Sequence, residues 1–287
     1  MFRQIYFRIL AISKPKPPVV KQPTQSGPVR RETWDWVSAM LKVARMYRGE
    51  EGKVVPFGDS ITYANQAGRW ARFGKGKSAE ENKICNWMKT GRNDASNGWW
   101  LAADDQAKGR SWTAASGVTS GQYIKGGKHG LPSLDEIIKA HNPQIALILL
   151  GTNDLSANVP TSQYLANMET IYKRCLQNGT IPVVETVPPT TWDKGGRIDD
   201  YNEGLIKLAA KYKLPLLDVY GEFLARRPGN SWKGTLKEII YLKLFFLAQP
   251  FAAMESWMRR GATLTVYAQL ERQERAVKHG CKYGLSR

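Results

Sequence analysis

The chain has 287 residues, of which 42% are hydrophobic and ten are Trp; that is enough apolar mass for a sizeable core and excludes a wholly disordered chain. Its formal charge is +17, yet residues 1–31 hold seven Lys and Arg with no acid, and residues 236–287 hold nine against four. Only +5 is left for the middle, so the basic excess reads as tail chemistry, and no specific nucleic-acid partner is expected of the folded part.

Residues 1–30 read as a disordered basic leader. Arg8 breaks the apolar start, and Lys14-Pro15-Lys16-Pro17-Pro18 follows it, which suits an extended linker better than a signal peptide. The compartment stays open. Glu32 to Tyr47 carries Trp36, Val37, Met40, Val43, Ala44 and Tyr47 at helical spacing. Short apolar runs then alternate with loops and helices. The runs are Lys53–Phe57, Ser111–Ala115, Ile145–Leu150, Ile181–Val187 and Leu214–Val219. Helical patterns fall at Leu134–His141, Thr161–Asn178 and Asp199–Tyr212, with Thr161 and Asp199 as expected caps and Gly179 as a stop. Strands alternating with helices imply a three-layer α/β/α domain over 31–235, around a parallel sheet of about five strands. Residues 61–110 are too long for a simple crossover and read as an insertion over the site. Its Trp70, Trp87, Trp99 and Trp100 either line a sugar or lipid site or pack the insertion. Cys85, Cys175 and Cys281 are far apart, with no CxxC and no Cys/His metal spacing. No metal and no cofactor are expected. No run reaches the roughly 20 uncharged apolar residues of a membrane span.

In open α/β sheets the ligand site lies outside the carboxyl ends of the strands. Three chemically apt segments fall there. Gly58-Asp59-Ser60 follows the first strand and would present Ser60 as a nucleophile, although Asp and Ser also suit a plain helix cap. Gly117 follows the second and can offer a bare backbone N–H to an oxyanion. Gly151-Thr152-Asn153-Asp154 follows the third, with the Asn153 amide as a neutral donor. A hydroxyl nucleophile with convergent donors is the layout of acyl transfer.

These blocks, in this order and each after a strand, resemble the first three blocks of the SGNH hydrolase (GDSL-type esterase) family, over roughly residues 50 to 235. The resemblance implies a flavodoxin-like fold. It also implies hydrolysis of carbohydrate, lipid or small acyl esters, with Ser60 as nucleophile and Ser60 N–H, Gly117 N–H and Asn153 as the oxyanion hole. Gly58, Asp59, Gly151, Thr152 and Asp154 are the supporting positions. The family's fourth block is Asp-x-x-His, in which the His is the general base and the Asp orients it.

Here the chain departs from the family. No Asp follows Asp218, and His279, the only late histidine, has Ala276 three residues before it. His129 reads as a solvated loop residue, and His141 as a cation suited to a helix C-terminus. The general base is therefore unassigned, and impaired hydrolysis is expected. The alternative is a catalytically silent protein of the same fold that binds a ligand. Beyond Leu236 the character turns abruptly basic, with the apolar run Ile239–Ala248. The expectation is an atypical tail over 236–287 produced by a reading-frame change near codon 236; a diverged, selected tail is the other reading.

Overall fold

Four parallel strands carry the fold in a computed structural model that describes residues 32–64, 72–73, 75, 79–88 and 98–226. The leader, the tail, Trp70, His279 and Cys281 lie outside the described residues. The strands are β1 (Val54–Gly58), β2 (Ile145–Leu149), β3 (Ile181–Glu185) and β4 (Leu216–Leu217), in the order β1-β2-β3-β4. The register pairs Val54 with Ile145, Ile145 with Ile181, and Val184 with Leu216. Strands β1 and β3 are buried throughout. Helices cover both faces, so a central strand such as Ile145–Leu149 is apolar without alternation.

The fifth expected strand is not built as a strand. Ser111–Ala115 makes a single parallel bridge, Gly58 to Ala114, on the outer edge of β1. The cause lies in two sequence details. Pro56 sits in β1 and has no N–H to give that edge. Its carbonyl faces the same edge and accepts instead from Thr113 Oγ1 at 2.7 Å. Ser111 then turns the segment back on itself: its N–H donates to Ala114 O at 2.8 Å, and its Oγ accepts from Ala114 N at 3.0 Å.

The first helix, α1 (Trp36–Met46), is capped by Asp35, whose Oδ1 accepts from Ser38 N at 3.1 Å. The segment before it closes the other side of the sheet. Glu32 Oε1 accepts from Leu216 N at 2.8 Å, and Trp34 Nε1 donates to Leu214 O at 2.9 Å. These bonds cover edge groups of β4 that would otherwise be open to pairing.

After β1 come α2 (Ser60–Ala64), α3 (Ala79–Trp87) and a 3-10 segment at Gly98–Ala103. Trp87 packs against the core, and its Nε1 donates to Glu51 Oε1 at 3.1 Å. Next are α4 (Ser120–Lys125) and α5 (Leu134–His141), each opened by a capping box, Thr119 with Gln122 and Ser133 with Glu136. Then follow α6 (Thr152–Ser156), α7 (Thr161–Gln177), α8 (Ile198–Tyr212) and α9 (Val219–Arg226).

Two expected caps are replaced. The cap position of α7 is Pro160, with no side-chain bond. At α8, Asp193 Oδ2 accepts from Ile198 N at 2.8 Å, which leaves Asp199 inside the first turn to accept from Tyr220 Oη. Gly179 stops α7 as expected, with a φ of +79°. Cys85 and Cys175 are buried, and burial pushes the Cys175 thiol up to about 12. Among the described residues no helix is long and apolar enough to cross a membrane.

Candidate active site

Because all four strands run the same way, the segments leaving their carboxyl ends gather at one end of the sheet. The Gly58-Asp59-Ser60 turn leaves β1 there. Gly58 has to be glycine: a Cβ would lie 2.1 Å from Thr62 Oγ1 and 2.4 Å from Leu149 O. Asp59, not Ser60, caps α2. Its Oδ1 accepts from Ile61 N at 2.9 Å and its carbonyl from Tyr63 N at 2.8 Å. Ser60, half-buried, is thereby released from capping duty.

The Gly151-Thr152-Asn153-Asp154 turn leaves β2. Gly151 has φ +130°, and a Cβ there would lie 2.5 Å from Val187 Cγ2 and 2.8 Å from Tyr164 Oη. Tyr164 Oη donates to Leu150 O at 2.9 Å and its ring stacks on Tyr201, so that wall cannot give way. Thr152 is buried beside it at the start of α6.

Asn153 then reaches across. Its Nδ2 donates to Asp59 Oδ2 at 2.9 Å and to Val118 O at 3.1 Å. One amide therefore joins the Ser60 turn, the Gly117 loop and its own turn. Both of its hydrogens are engaged, so donating to an oxyanion requires one of these bonds to be shared or exchanged.

Two buried carboxyls lie beneath. Asp154 accepts from Ser120 N at 2.9 Å and from Ser120 Oγ at 2.6 Å, while Asn167 Nδ2 donates to that Oγ at 2.9 Å. Burial pushes both carboxyls up, Asp59 to about 7, and the Asp154 charge adds to the rise at Asp59. Glu185 at the end of β3 is pushed to about 7 by burial as well. Further along the same edge, Asn202 brackets Val187 through both its amide groups, at 2.7 and 3.0 Å. Thr186 Oγ1 donates to Asp218 Oδ1 at 2.9 Å, tying β3 to β4.

Ser120, Asn167, Asn202 and Thr186 carry no sequence signature of these roles. They are ordinary polar residues whose partners are 15 to 47 positions away, so no local spacing marks them.

The histidines do not supply the missing group among the described residues. His129 is exposed, in a short turn where its own φ is +52°. The expectation for His141 is corrected. It is not a cation at a helix end: it is buried edge-on against Trp112, and burial followed by the nearby Lys53 charge lowers it to about 4. It is neutral at pH 7. Neither histidine is hydrogen-bonded to Ser60. No group of three or more His, Cys, Asp or Glu that could hold a metal ion occurs among the described residues.

The chain belongs to the GDSL-like lipase/acylhydrolase family, whose model matches residues 57–237. That match ends one residue past Leu236. Among solved structures the chain is similar to a protein described as an acylhydrolase from Bacteroides fragilis, at 16% identity over 81% of this chain and 99% of that one, with a TM-score of 0.48. It is also similar to a GDSL-like lipase from Bacteroides thetaiotaomicron, at 14% identity over 79% and 96%, TM-score 0.46. A third is an acetyl xylan esterase, at 16% identity over 71% and 98%, TM-score 0.44. No curated protein matches the chain.

Proposed function

We propose that this chain is an ester hydrolase that works through an acyl-enzyme on Ser60, on a carbohydrate, lipid or small acyl ester, and that it is impaired because it lacks a general base. The observation that supports this reading is the Asn153 amide bonded at once to Asp59, the neighbour of Ser60, and to Val118, the neighbour of Gly117. Ser60 Oγ attacks the ester carbonyl and the alkoxide leaves with a proton. The developing oxyanion takes hydrogen bonds from the Ser60 and Gly117 N–H groups and from Asn153. Water then releases the acid.

The serine must lose its proton during attack. In the family that proton goes to the His of Asp-x-x-His, and a positioned base of this kind contributes about 10²–10⁴-fold. This chain has no Asp after Asp218 to build that pair.

The test is hydrolysis of 4-nitrophenyl acetate by the full chain and by Ser60→Ala, with and without added imidazole. The expected result is slow turnover by the native chain, above Ser60→Ala and raised by imidazole more than the Ser60→Ala background is. Fluorophosphonate labelling of the Ser60 peptide, read by mass spectrometry, is expected alongside. Equal rates for the two proteins at every imidazole concentration, with Ser60 unlabelled, would leave the ligand-binding reading in its place.

A further inference from the structure

We infer that the candidate site takes esters carrying a carboxylate close to the scissile bond, and that Lys128 is the group that reads it. The inference rests on the placement of Gly117 in the proposed site. It deepens that reading by naming the substrate class.

Two loops interleave beside the site. The loop 107–118 folds on itself through Ser116 N to Gly109 O at 2.8 Å and Arg110 N to Ala107 O at 3.1 Å. The turn 127–131 closes through Gly127 N to Leu131 O at 2.7 Å and Leu131 N to Lys128 O at 2.9 Å. Three consecutive residues of the turn lie over three glycine or arginine positions of the loop. A Cβ on Gly117 would lie 3.6 Å from Lys128 Cε and 3.8 Å from Lys128 Nζ. A Cβ on Gly109 would lie 3.4 Å from the His129 ring, and one on Gly130 would lie 3.6 Å from Arg110 Nε. The turn and the loop are therefore in ordinary van der Waals contact, and Gly117 and Gly109 are glycines because their φ values are +72° and +85°. His129 holds a left-handed backbone to complete the turn, a conformation that a non-glycine residue keeps only where the surroundings enforce it.

The result is uncompensated positive charge next to Gly117. Arg110 Nη1 donates to Ser111 O at 3.3 Å, but its Nε is buried with no acceptor. The ion pairs of Glu169 with Lys173 and Lys211, and of Asp135 with Arg174, involve neither Arg110 nor Lys128. Asp104 accepts from Gln106 Nε2 at 2.9 Å and Trp112 Nε1 at 3.0 Å, and Asp105 accepts from Tyr63 Oη, so neither carboxylate forms an ion pair with Arg110 or Lys128. A half-buried lysine whose Nζ lies beside Gly117, with Arg110 unpaired in the adjoining loop, is a recognition site for an anion. The ester carbonyl at Gly117 places that anion on the part of the substrate that passes Lys128.

Equilibrium binding to the full chain carrying Ser60→Ala tests this, because that variant cannot turn the ligand over. The probes are monomethyl succinate and methyl butyrate, which differ by a carboxylate in place of a methyl group, titrated by calorimetry at low salt. The expected result is that the succinate ester binds about tenfold tighter or more, the scale of one charge-assisted hydrogen bond, with the preference shrinking as salt is raised. Adding Lys128→Gln should abolish the preference. Adding Lys128→Glu should turn it toward methyl 4-aminobutyrate, an inversion that a merely structural lysine would not give. Equal binding of the two esters, no heat from either, or a preference that survives Lys128→Gln overturns the inference. Turnover and fluorophosphonate labelling of Ser60 in the native chain with added imidazole test the esterase reading independently of Lys128, so the two failures are told apart.

Discussion

Replacing Asp59 by Asn should remove a pH dependence from the stability of this protein. Asp59 is 1% exposed, accepts from Ile61 N and Asn153 Nδ2, and lies close enough to Asp154 to feel its charge. Burial is the main cause that raises its carboxyl from 3.8 to about 7, with the Asp154 charge adding to it and the Ile61 bond opposing. A group whose folded pKa lies above its unfolded one contributes stability that is fully present below the unfolded value and lost as pH rises through the folded value. Each pH unit between the two costs about 1.4 kcal/mol, so about 3 kcal/mol is lost between pH 5 and pH 8, and nothing more above that. The amide that replaces the carboxyl in Asp59→Asn binds no titrating proton. Its altered bond to Asn153 is the same at every pH and shifts the curve without tilting it. Glu185 keeps its own tilt in both proteins, so the quantity to measure is the difference between them. Urea unfolding at pH 5 and pH 8 supplies it, with stability taken from midpoint and slope. The native chain should lose about 3 kcal/mol more than Asp59→Asn over that interval. If the two proteins lose the same amount, Asp59 is ionised in the folded state and the argument about its burial is wrong.

The other expected outcomes concern single residues and the gene. His141 tilts stability the opposite way: its pKa is lowered by burial from 6.5 to about 4, so its contribution is present above 6.5 and lost as pH falls, by about 3 kcal/mol at pH 4. Urea midpoints at pH 4.5 and 7 that fall equally in His141→Phe would contradict this. Gly151→Ala should cost about 2–4 kcal/mol, from a left-handed backbone and a Cβ driven into Val187 and Tyr164; an unchanged thermal midpoint refutes the close approach. Asn153→Ala should lower kcat by about 10²–10³ relative to the native chain, and an unchanged kcat in a background where Ser60→Ala is dead removes it from the oxyanion hole. Translating the two other frames after codon 236 should produce an Asp-x-x-His shortly downstream; its absence from both disposes of the reading-frame proposal.

Periodicity and punctuation alone determined most of the fold. Unbroken apolar runs at Ile145 and Ile181 marked buried central strands, and 3.6-residue spacing marked α5 to the residue. The family blocks could be read because they are local: two are turns fixed by a glycine and by the strand before it, and Gly117 follows the bridge at Ala114. Tertiary structure decided what depends on distant partners. Ser111–Ala115 looked like a strand, but Pro56 in another segment withholds the donor that would have paired it. Asp199 looked like a cap until Asp193 took the Ile198 N–H. Asp59 and Ser60 were equally good caps on paper, and only the bonds of Asp59 to Ile61 and Asn153 separate the capping residue from the free hydroxyl. His141 was given a charge from its place on a helix, whereas Trp112, Lys53 and the surrounding core remove it. Local spacing reports what a segment prefers. Burial, charge and the sharing of a single donor between two acceptors are properties of the packed molecule, set by residues that only the completed fold brings within reach.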